Sequence, residues 1–416
     1  MTVPAGQLTA LAEAIAAIAP LSSPADVALR DFFRQHRQLG QRDRAFVAEG
    51  VFALLRRRRS LTIHAGTSAP RSLAIATSLR ELGLSLRELD SALAVGEQAW
   101  ARDFKSRKPD LTAAEAADLP DWLWEVLGDA LPAERDALSR AWLAPAPLDL
   151  RINPLKTTRD AAIAALGADG IRAMATPYSP VGLRVVGKPA LQRHPQFTGG
   201  AVEVQDEGSQ LLCYLVAPKR SEMVVDFCAG AGGKTLLLGA MMHSQGRLYA
   251  FDISPRRLAN LKPRLARSGL SNVHPVRIAD ERDARIKRLA GKIDRVLVDA
   301  PCTGFGTLRR NPDLKWRQTP TAVLELAAKQ ARLLAAAAPL VKPGGRLVYA
   351  TCSVIPAENE LIVEAFLSAH PEFALGDAAA ELARTGITLD TGRMLRLYPH
   401  RHGCDAFFAA ILERKR

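Results

Sequence analysis

The stretch 221–235, SEMVVDFCAGAGGKT, most constrains what this chain can fold into. An apolar run at 223–227 predicts a short buried strand, a turn follows with Gly230, Gly232 and Gly233, and the next apolar residues predict a helix. Because glycine has no Cβ and tolerates positive φ, such a turn lets backbone N–H groups approach a ligand at the positive end of the helix. The sequence therefore predicts a ligand-binding strand–turn–helix unit.

The spacing of this turn fits neither of two common phosphate-binding motifs. A Walker A loop would need glycine where Cys228 stands, and the dinucleotide fingerprint would need glycine where Thr235 stands. Asp226 ends the first strand, and Asp252 ends the next predicted strand, RLYAFD, where a carboxylate can accept hydrogen bonds from ribose hydroxyls. This pattern suits S-adenosylmethionine at least as well as a nucleotide.

Composition favours a multidomain protein with a polyanionic partner. The chain has 416 residues, 48 % of them apolar, which is enough for two or three domains with sizeable cores. A net charge of +13 favours nucleic acid over a membrane, although an Ala- and Arg-rich composition alone would also explain it. The five cysteines lack C-x-x-C spacing, so we expect neither a disulfide framework nor a metal site. With no signal-like N-terminus and no run of about 18 apolar residues, the sequence predicts a cytoplasmic protein without a membrane partner.

Three regions differ in their predicted structure. Residues 1–118 carry apolar residues at spacings of three and four and predict an all-helical domain, in which four arginines at 56–59 form either a solvated helix end or a phosphate-binding patch. Residues 119–205 predict linker helices and a small α+β unit whose first strand, with Arg151 and Asn153, can carry a nucleic-acid surface. Residues 206–416 predict the third domain.

From residue 223 onward, predicted strands and helices alternate. This order implies a parallel sheet with helices on both faces, a Rossmann-like α/β fold, in which ligands bind at the carboxyl ends of the strands. Those ends carry polar and nucleophilic residues: Asp226, Asp252, Asp280, Asp299 with Cys302 just beyond it, and Cys352.

Two cysteines follow two of these strands. A free cysteine is often only a small buried hydrophobe, but neighbouring strands lie about 4.8 Å apart, so Cys302 and Cys352 can face one pocket beside the cofactor loop. Two thiols and a methyl donor suit methylation of carbon 5 of a pyrimidine. One thiolate adds to carbon 6 and makes carbon 5 nucleophilic, and a second group then removes the proton from carbon 5.

Four segments in this region carry a resemblance to a known family. DFCAGAGGKT, FDISPRRL, DRVLVDAPCTGFGTLRRNPDLKW and GGRLVYATCSVIPAENE resemble the successive motifs of the Nol/Nop/Sun family of RNA 5-methylcytosine methyltransferases, in particular its RsmB-like type acting on small-subunit ribosomal RNA. The resemblance extends from about residue 147 to the end of the chain. The helical first domain resembles the NusB-like RNA-binding domain of that type more loosely, and the middle unit is taken as RRM-like.

The resemblance implies a role for each motif residue. Cys352 would be the nucleophile, and Cys302 would assist elimination and release. Lys234 would line the active site, and Asp299 would lie near the methionine moiety or hydrogen-bond the exocyclic amine of the target cytosine. The cofactor-binding residues implied are Cys228, Ala229, Gly230, Ala231, Gly232, Gly233, Lys234, Asp252 at the ribose, Arg257, Asp280 at the adenine, and Asp299. For the aspartates, helix capping or ion pairing with Arg256 or Arg257 is the plainer alternative.

The chain also departs from the family pattern. The loop usually reads C-A-A-P-G-G-K, whereas Gly230 and Ala231 occupy its two central positions here, so we expect weaker cofactor affinity. The target base must be unstacked. The segment 304–310 is suited to contact the flanking strand through Arg309 and Arg310, with Phe305 either in that contact or in the core.

The expected function is S-adenosylmethionine-dependent methylation of carbon 5 of a cytosine in RNA, most simply 16S ribosomal RNA, by a monomer. A transfer RNA substrate is one alternative. A methyltransferase of proteins or small molecules is another, and it would not need the two thiols. The third is a non-catalytic ribosome assembly factor that keeps the fold.

Overall fold

The computed structural model describes residues 3–416. Its α-helices are α1 (Ala5–Ile18), α2 (Ala25–Gln35), α3 (Gln41–Arg56), α4 (Arg58–Ala65), α5 (Pro70–Arg80), α6 (Leu86–Leu89), α7 (Val95–Ser106), α8 (Ala113–Ala116), α9 (Asp121–Ala130), α10 (Arg135–Trp142), α11 (Arg159–Ala168), α12 (Pro195–Thr198), α13 (Glu207–Val216), α14 (Gly233–Met241), α15 (Pro255–Ser268), α16 (Ala284–Lys287), α17 (Leu314–Arg317), α18 (Pro320–Ala337), α19 (Glu360–Ala369), α20 (Ala378–Ala383) and α21 (Pro399–His402).

The strands form two sheets. They are β1 (Leu148–Ile152), β2 (Ala173–Ala175), β3 (Gly182–Val185), β4 (Val202–Val204), β5 (Met223–Asp226), β6 (Arg247–Asp252), β7 (Val273–Arg277), β8 (Ile293–Asp299), β9 (Val341–Thr351), β10 (Phe373–Leu375), β11 (Leu395–Leu397) and β12 (Phe407–Arg414). Within residues 3–416, no helix is both long enough and apolar enough to cross a membrane.

The described chain groups into two compact units. The helical unit comprises residues up to 145 together with 307–319, and the catalytic unit comprises 146–306 and 320–416. Helices α9 and α10 therefore group with the helical unit, whereas the sequence analysis placed them with the small α+β unit. The helical core is built on one apolar face of α1, which packs against α3 and α5.

The inserted segment 307–319 is held in the helical unit by its own side chains. The Trp316 indole packs against the helical core, and its Nε1–H donates to the carbonyl oxygen of Leu55 at 2.7 Å. The Asp313 carboxylate accepts a hydrogen bond from the backbone N–H of Ala25 at 3.2 Å. Lys315 is buried, and its Nζ donates to the carbonyl oxygen of Arg56 at 2.8 Å.

The catalytic unit contains both sheets. The smaller has the order β2-β3-β1-β4 and is antiparallel throughout. The larger has the order β10-β12-β9-β8-β5-β6-β7, with β11 paired to β12. Strands β5 to β9 are parallel to one another, as the alternation of strands and helices predicted. Strand β12, on the other side of β9, runs antiparallel to it.

The strand order of the larger sheet reverses between β5 and β8. The chain passes from β5 outward to β6 and β7, then returns to the other side of β5 to form β8 and β9. In open α/β sheets ligands bind in the crevice at such a reversal, beyond the carboxyl ends of the strands. Those ends are Asp226 for β5 and Asp299 for β8, so the fold itself locates the site.

Candidate active site

The loop after β5 has the backbone that a close ligand approach requires. Gly230 and Gly232 have φ of +58° and +82°, and Gly232 is the N-cap residue of helix α14. A Cβ on Gly232 would lie 2.1 Å from a methyl carbon of Leu261, so packing against α15 also requires glycine there. The Gly230 N–H donates to Asp252 Oδ2 at 2.9 Å, which ties this loop to the end of β6.

A cavity of about 480 Å³ lies beside this loop and brings four of the predicted cofactor residues together. Cys228, Asp252, Arg257 and Asp280 all line it, with apolar walls from Ile253 and Leu333. Two carboxylates beside apolar walls are the surroundings that an adenosine group needs, because the ribose hydroxyls and the adenine amine can donate hydrogen bonds.

The two aspartates also make the local contacts that the plainer alternative anticipated. Asp252 is buried, accepts from the Ser254 N–H at 2.7 Å and lies 3.9 Å from the Arg257 guanidinium. Asp280 accepts from the backbone N–H of Arg282 at 2.7 Å. These bonds orient both carboxylates at the cavity wall, and a ligand role for the two aspartates stays a prediction.

A second cavity, of about 450 Å³, is lined by the other predicted residues except Gly232. Its walls include residues 228–231, Gly233 and Lys234 of the loop, and both cysteines that the motifs singled out. Strands β8 and β9 are direct neighbours in the sheet, with Asp299 paired to Ala350. The sulfur atoms of Cys302 and Cys352 are 3.4 Å apart. The predicted convergence of two thiols on one pocket is present in the structure.

Lys234 and Asp299 form a buried ion pair in this second cavity. Lys234 Nζ donates to Asp299 Oδ2 at 2.6 Å. Burial by itself lowers the pKa of Lys234, but the charge of Asp299 and its hydrogen bond outweigh burial, so the pKa is raised overall. The cavity therefore holds a fixed ammonium group next to a fixed carboxylate.

Two thiols of the site have raised pKa values. The hydrogen bond with Cys352, together with burial, raises the pKa of Cys302 well above its ordinary value. Burial also raises the pKa of Cys228, and the charges of Asp226 and Asp299 add to that shift. Cys302 and Cys228 are therefore protonated thiols at neutral pH.

Asp226 is an unused acceptor at the centre of the site. Burial raises its pKa to about 7, and one carboxylate oxygen accepts from the Thr235 hydroxyl at 2.7 Å. The other oxygen, Oδ1, is buried and has no hydrogen-bond partner among residues 3–416. Since Asp226 lines the second cavity, it offers an acceptor for a cationic or N–H-bearing ligand group there. The ammonium of a methionine moiety has that chemistry, so the residues fit S-adenosylmethionine.

Several residues named in the sequence analysis are not where a surface role would need them. Arg151 and Asn153 are buried, and Asn153 donates to backbone carbonyls of Gly200 and Ser268, so the nucleic-acid surface predicted for these two side chains is wrong. Arg151 donates to the carbonyl oxygen of Gly233 at 3.4 Å and instead supports the cofactor loop. Phe305 is fully buried, which decides between its two predicted positions in favour of the core.

The arginines at 56–59 are half-buried and have protein partners. Arg57 pairs with Glu81 at 3.4 Å, and Arg59 pairs with Asp121 at 2.7 Å. Arg56 donates to the carbonyl oxygen of Arg309 at 3.3 Å. Acidic residues thus already oppose Arg57 and Arg59, and the cluster is not a simple solvated helix end.

The sequence analysis missed the residues that hold the two cysteine loops. Glu358 is fully buried and accepts hydrogen bonds from Thr303, Gln330 and Ser353. The available signal was the segment IPAENE directly after the second cysteine motif, because a buried glutamate so close to a reactive residue needs a partner there. Gln205 and Ser209 on the wall of the second cavity were missed as well.

The parallel sheet, the strand reversal and the cofactor crevice define a Rossmann-like, S-adenosylmethionine-dependent methyltransferase. Residues 213–413 match the family described as 16S rRNA methyltransferase RsmB/F, and residues 119–192 match the ferredoxin-like domain of RsmF/B-like methyltransferases. The chain belongs to the RsmB/F family of methyltransferases. The four-stranded sheet is the structural counterpart of that ferredoxin-like match.

Curated relatives support the same family. The chain is 38 % identical over 306 residues to the probable ribosomal RNA small subunit methyltransferase B of Synechocystis sp., covering 73 % of this chain and 68 % of that protein. It is 33 % identical over 301 residues to the Bacillus subtilis protein of the same description, covering 71 % and 66 %. The match therefore spans about two thirds of the length of these relatives.

Solved structures show the same fold. The crystal structure of PH0851 superposes over 100 % of both chains with a TM-score of 0.81 at 27 % identity. NSun6 from Pyrococcus horikoshii, solved with SFG, an analogue of S-adenosylmethionine, has a TM-score of 0.63 at 22 % identity and covers 71 % of this chain and 98 % of that one. The latter likeness concerns the fold alone.

Proposed function

We propose that this protein methylates carbon 5 of a cytosine in RNA, with small-subunit ribosomal RNA as the substrate. The observation that carries the proposal is the pair of thiols 3.4 Å apart, at the ends of adjacent strands, in a cavity that the cofactor loop also lines. Methylation at an oxygen, a nitrogen or an activated carbon has no use for such a pair, whereas at carbon 5 of a pyrimidine one thiol can serve as the nucleophile and the other as the base.

In this proposal Cys352 is the nucleophile. Its thiolate adds to carbon 6 of the cytosine, and the electrons of the C5–C6 double bond make carbon 5 nucleophilic. S-Adenosylmethionine, when bound, supplies the electrophilic methyl group. Cys302 releases its own proton to solvent, and its thiolate then takes the proton from carbon 5. The double bond re-forms, the bond between carbon 6 and the Cys352 sulfur breaks, and Cys352 leaves as a thiolate.

The raised pKa of Cys302 explains why this thiol acts only in the second half of the reaction. Its largest cause is the contact with Cys352, followed by burial. Once the Cys352 sulfur is bonded to carbon 6 it no longer carries charge, and that cause disappears. The pKa of Cys302 then falls, so Cys302 becomes able to act as the base only after the nucleophile has reacted.

The buried ion pair supplies a reason for choosing cytosine. Asp299 Oδ2 is held by Lys234, which fixes the carboxylate and leaves acceptor capacity for the exocyclic amine of the base. Uracil carries a carbonyl oxygen at that position and would meet the carboxylate without a hydrogen bond. Selection against uracil therefore follows from an unpaired buried acceptor.

The ribosomal substrate is proposed from the relatives and from charge. Relatives that are 33–38 % identical are described as ribosomal RNA small subunit methyltransferases, and the chain carries a net charge of +13. A basic protein gains affinity for RNA by releasing counterions from phosphates.

The test incubates the protein with labelled S-adenosylmethionine and total RNA from a strain that lacks the gene, followed by bisulfite mapping. One labelled cytosine in 16S ribosomal RNA is the expected result. Label in transfer RNA would identify transfer RNA as the substrate instead of ribosomal RNA, and label in protein would overturn the proposal. Cofactor binding without label in any RNA would favour the protein or small-molecule activity, whereas the absence of cofactor binding would favour an assembly role.

The two cysteines are tested by covalent trapping. Cys302→Ala is expected to accumulate a protein–RNA adduct, because elimination stalls after Cys352 has added to carbon 6. Cys352→Ala is expected to form none. Denaturing gel electrophoresis with labelled RNA measures both. Equal adduct from the two variants would contradict the assigned roles.

A further inference from the structure

A buried carboxylate joins the two loops that carry the cysteines. Glu358 is 0 % exposed, and its Oε1 accepts from the Thr303 backbone N–H at 2.8 Å. Its Oε2 accepts from the Thr303 hydroxyl at 2.6 Å and from the Ser353 hydroxyl at 2.5 Å. We call Thr303, Gln330, Ser353 and Glu358 the Glu358 cluster.

The partners of Glu358 are the residues directly after the two cysteines. Thr303 follows Cys302, and Ser353 follows Cys352. Their hydroxyl oxygens are 3.3 Å apart and point at the same carboxylate oxygen. One side chain thus sets the spacing of the two loops one residue beyond the sulfur atoms.

The opposite flank of Cys302 is held by the same cluster. Gln330 Nε2 donates to the Pro301 carbonyl oxygen at 2.9 Å and to Glu358 Oε1 at 3.0 Å. Cys302 therefore lies between two anchored residues. Pro301 accepts a hydrogen bond from Gln330 of helix α18, and Thr303 donates hydrogen bonds to Glu358.

Asn359 completes the support of the other cysteine without touching the first. Its Oδ1 accepts from the Thr351 hydroxyl at 2.5 Å, and its Nδ2 donates to the Ser353 carbonyl oxygen at 3.1 Å. These contacts are confined to the Cys352 loop. Of the two neighbouring residues, Glu358 bridges the loops and Asn359 braces only one.

We propose that Glu358 is a positioning residue that sets the separation of the Cys302 and Cys352 sulfur atoms. A carboxylate suits this position because it only accepts hydrogen bonds, and four donors from three residues converge on its two oxygens. A carboxamide would place N–H donors against some of those donors. The loops would keep their fold but lose the shared acceptor that fixes their spacing.

The catalytic consequence rests on the proposed function. If Cys352 attacks carbon 6 and Cys302 removes the proton from carbon 5, both sulfurs must meet one base ring at once. A change in their spacing then slows the chemical step and leaves the carboxylates of the first cavity, which face the adenosine group, in place. Glu358 acts through the cysteine loops and touches no substrate in this account.

The first experiment measures the sulfur separation without any RNA. Phenylarsine oxide condenses with two neighbouring thiols to form two As–S bonds and releases one water, so tight binding requires the two sulfurs to be close together. The wild-type protein is expected to bind one equivalent that a monothiol does not displace. Cys302→Ala and Cys352→Ala should each abolish this binding, which identifies the site.

Glu358→Gln is expected to weaken arsenical binding by about tenfold or more. The matched control is Glu360→Gln, because Glu360 pairs with Arg396 at 2.7 Å and touches neither cysteine loop; it should bind as the wild type does. Circular dichroism and the affinity for S-adenosylmethionine should be unchanged in both variants. Equal arsenical affinity in Glu358→Gln and Glu360→Gln would overturn the proposal.

A second pair of variants separates positioning from general loss of structure. Thr303→Ser keeps the hydroxyl that donates a hydrogen bond to Glu358 and should retain arsenical binding. Thr303→Val has almost the same shape as the wild type but lacks the hydroxyl, and it should lose arsenical binding. In single-turnover methylation, Glu358→Gln and Thr303→Val should lower the rate of chemistry about tenfold with KM for RNA unchanged. A matching loss of arsenical binding and rate in Thr303→Ser would contradict the positioning role.

The outcomes also separate this inference from the proposed function. If Glu358→Gln weakens arsenical binding but the wild-type protein methylates no RNA, the positioning role stands and the proposed function fails. If the wild-type protein methylates cytosine and Glu358→Gln keeps both the arsenical affinity and the rate, the proposed function stands and the positioning role fails.

Discussion

Each unit contains a lysine with a shifted pKa, and the two pKa values move in opposite directions. In the catalytic unit, Lys234 lies 2.6 Å from the Asp299 carboxylate, and its pKa is raised although burial opposes this. In the helical unit, burial lowers the pKa of Lys315 to about 7, and the charge of Asp118 opposes burial only in part. Lys315 is 1 % exposed and the Lys234 side chain is 11 % exposed, and their contacting partners also differ: a carboxylate for Lys234 and a neutral backbone carbonyl for Lys315.

This contrast indicates two uses of a buried ammonium. The Lys234 ammonium stays charged throughout the physiological range, as a site that fixes an anionic group requires. The Lys315 ammonium is half neutralised near pH 7 and serves mainly to donate a hydrogen bond to the end of helix α3. In the proposed function the first ammonium belongs to the chemistry, whereas the second is a feature of the fold.

The largest expected effect comes from breaking the catalytic pair. Lys234→Met leaves the Asp299 carboxylate, which is 28 % exposed, without its charged partner in the cavity. We expect single-turnover methylation to fall roughly 100-fold or more. Lys287→Met, on the exposed side of α16, is the control and should retain full activity. A Lys234→Met enzyme with near-normal rates would show that the pair is structural only.

The intermediate effect concerns Lys315 and pH. Its folded-state pKa of about 7 lies below the ordinary lysine value, so between these values the unfolded chain binds more protons than the folded chain. The free energy of unfolding of the helical unit should therefore rise with pH above 7, by up to about 1.4 kcal/mol per pH unit. Lys315→Met should remove this slope and leave methylation near its normal rate.

Hydrogen exchange of peptides from α3, followed from pH 7 to pH 10, measures this slope. The wild-type protein and Lys315→Met are compared after correction for the intrinsic exchange rate. Identical pH dependence in the two proteins would show that Lys315 titrates as an ordinary lysine, and the contrast with Lys234 would then disappear.

The smallest effect compares a left-handed glycine in each unit. Gly230 in the cofactor loop has φ of +58°, Gly66 at the end of α4 has φ of +67°, and a Cβ at either meets no atom closer than 3.5 Å. Alanine at either position therefore adds only backbone strain, roughly 1–2 kcal/mol. We expect both variants to lose that stability, but only Gly230→Ala to weaken the binding of S-adenosylmethionine, by about tenfold in a calorimetric titration. Equal cofactor affinity in the two variants would show that the loop backbone does not hold the cofactor.

Sequence reasoning located the parts of the site that local patterns encode. Asp252, Asp299, Cys302 and Cys352 end or follow strands, and parallel strands place such residues at one edge, so their convergence followed from the alternation of strands and helices. The glycine spacing likewise indicated a loop rather than a phosphate-binding motif. These features depend on neighbours in the chain or on a general rule of sheet topology.

The rest depends on side chains that meet from distant positions. Glu358 and Thr303 are 55 residues apart in the sequence, and no periodic pattern predicts their contact. Arg151 was read correctly as part of a strand, but a strand pattern with few alternating residues does not settle which face is buried. The predicted domain boundaries at 118 and 205 stay predictions. Contacts divide the described chain after residue 145 and assign the segment 307–319 to the helical unit.

The segment 307–319 limits how this protein can be divided. It follows the first cysteine loop directly in the sequence. Asp313, Lys315 and Trp316 form hydrogen bonds with residues of the helical unit. A shortened chain that begins at residue 146 would retain this segment and lack every one of those partners, leaving an indole and a lysine with nothing to bury them. The helical unit is therefore not a removable cassette, and exchanging it between relatives requires exchanging two stretches of sequence together.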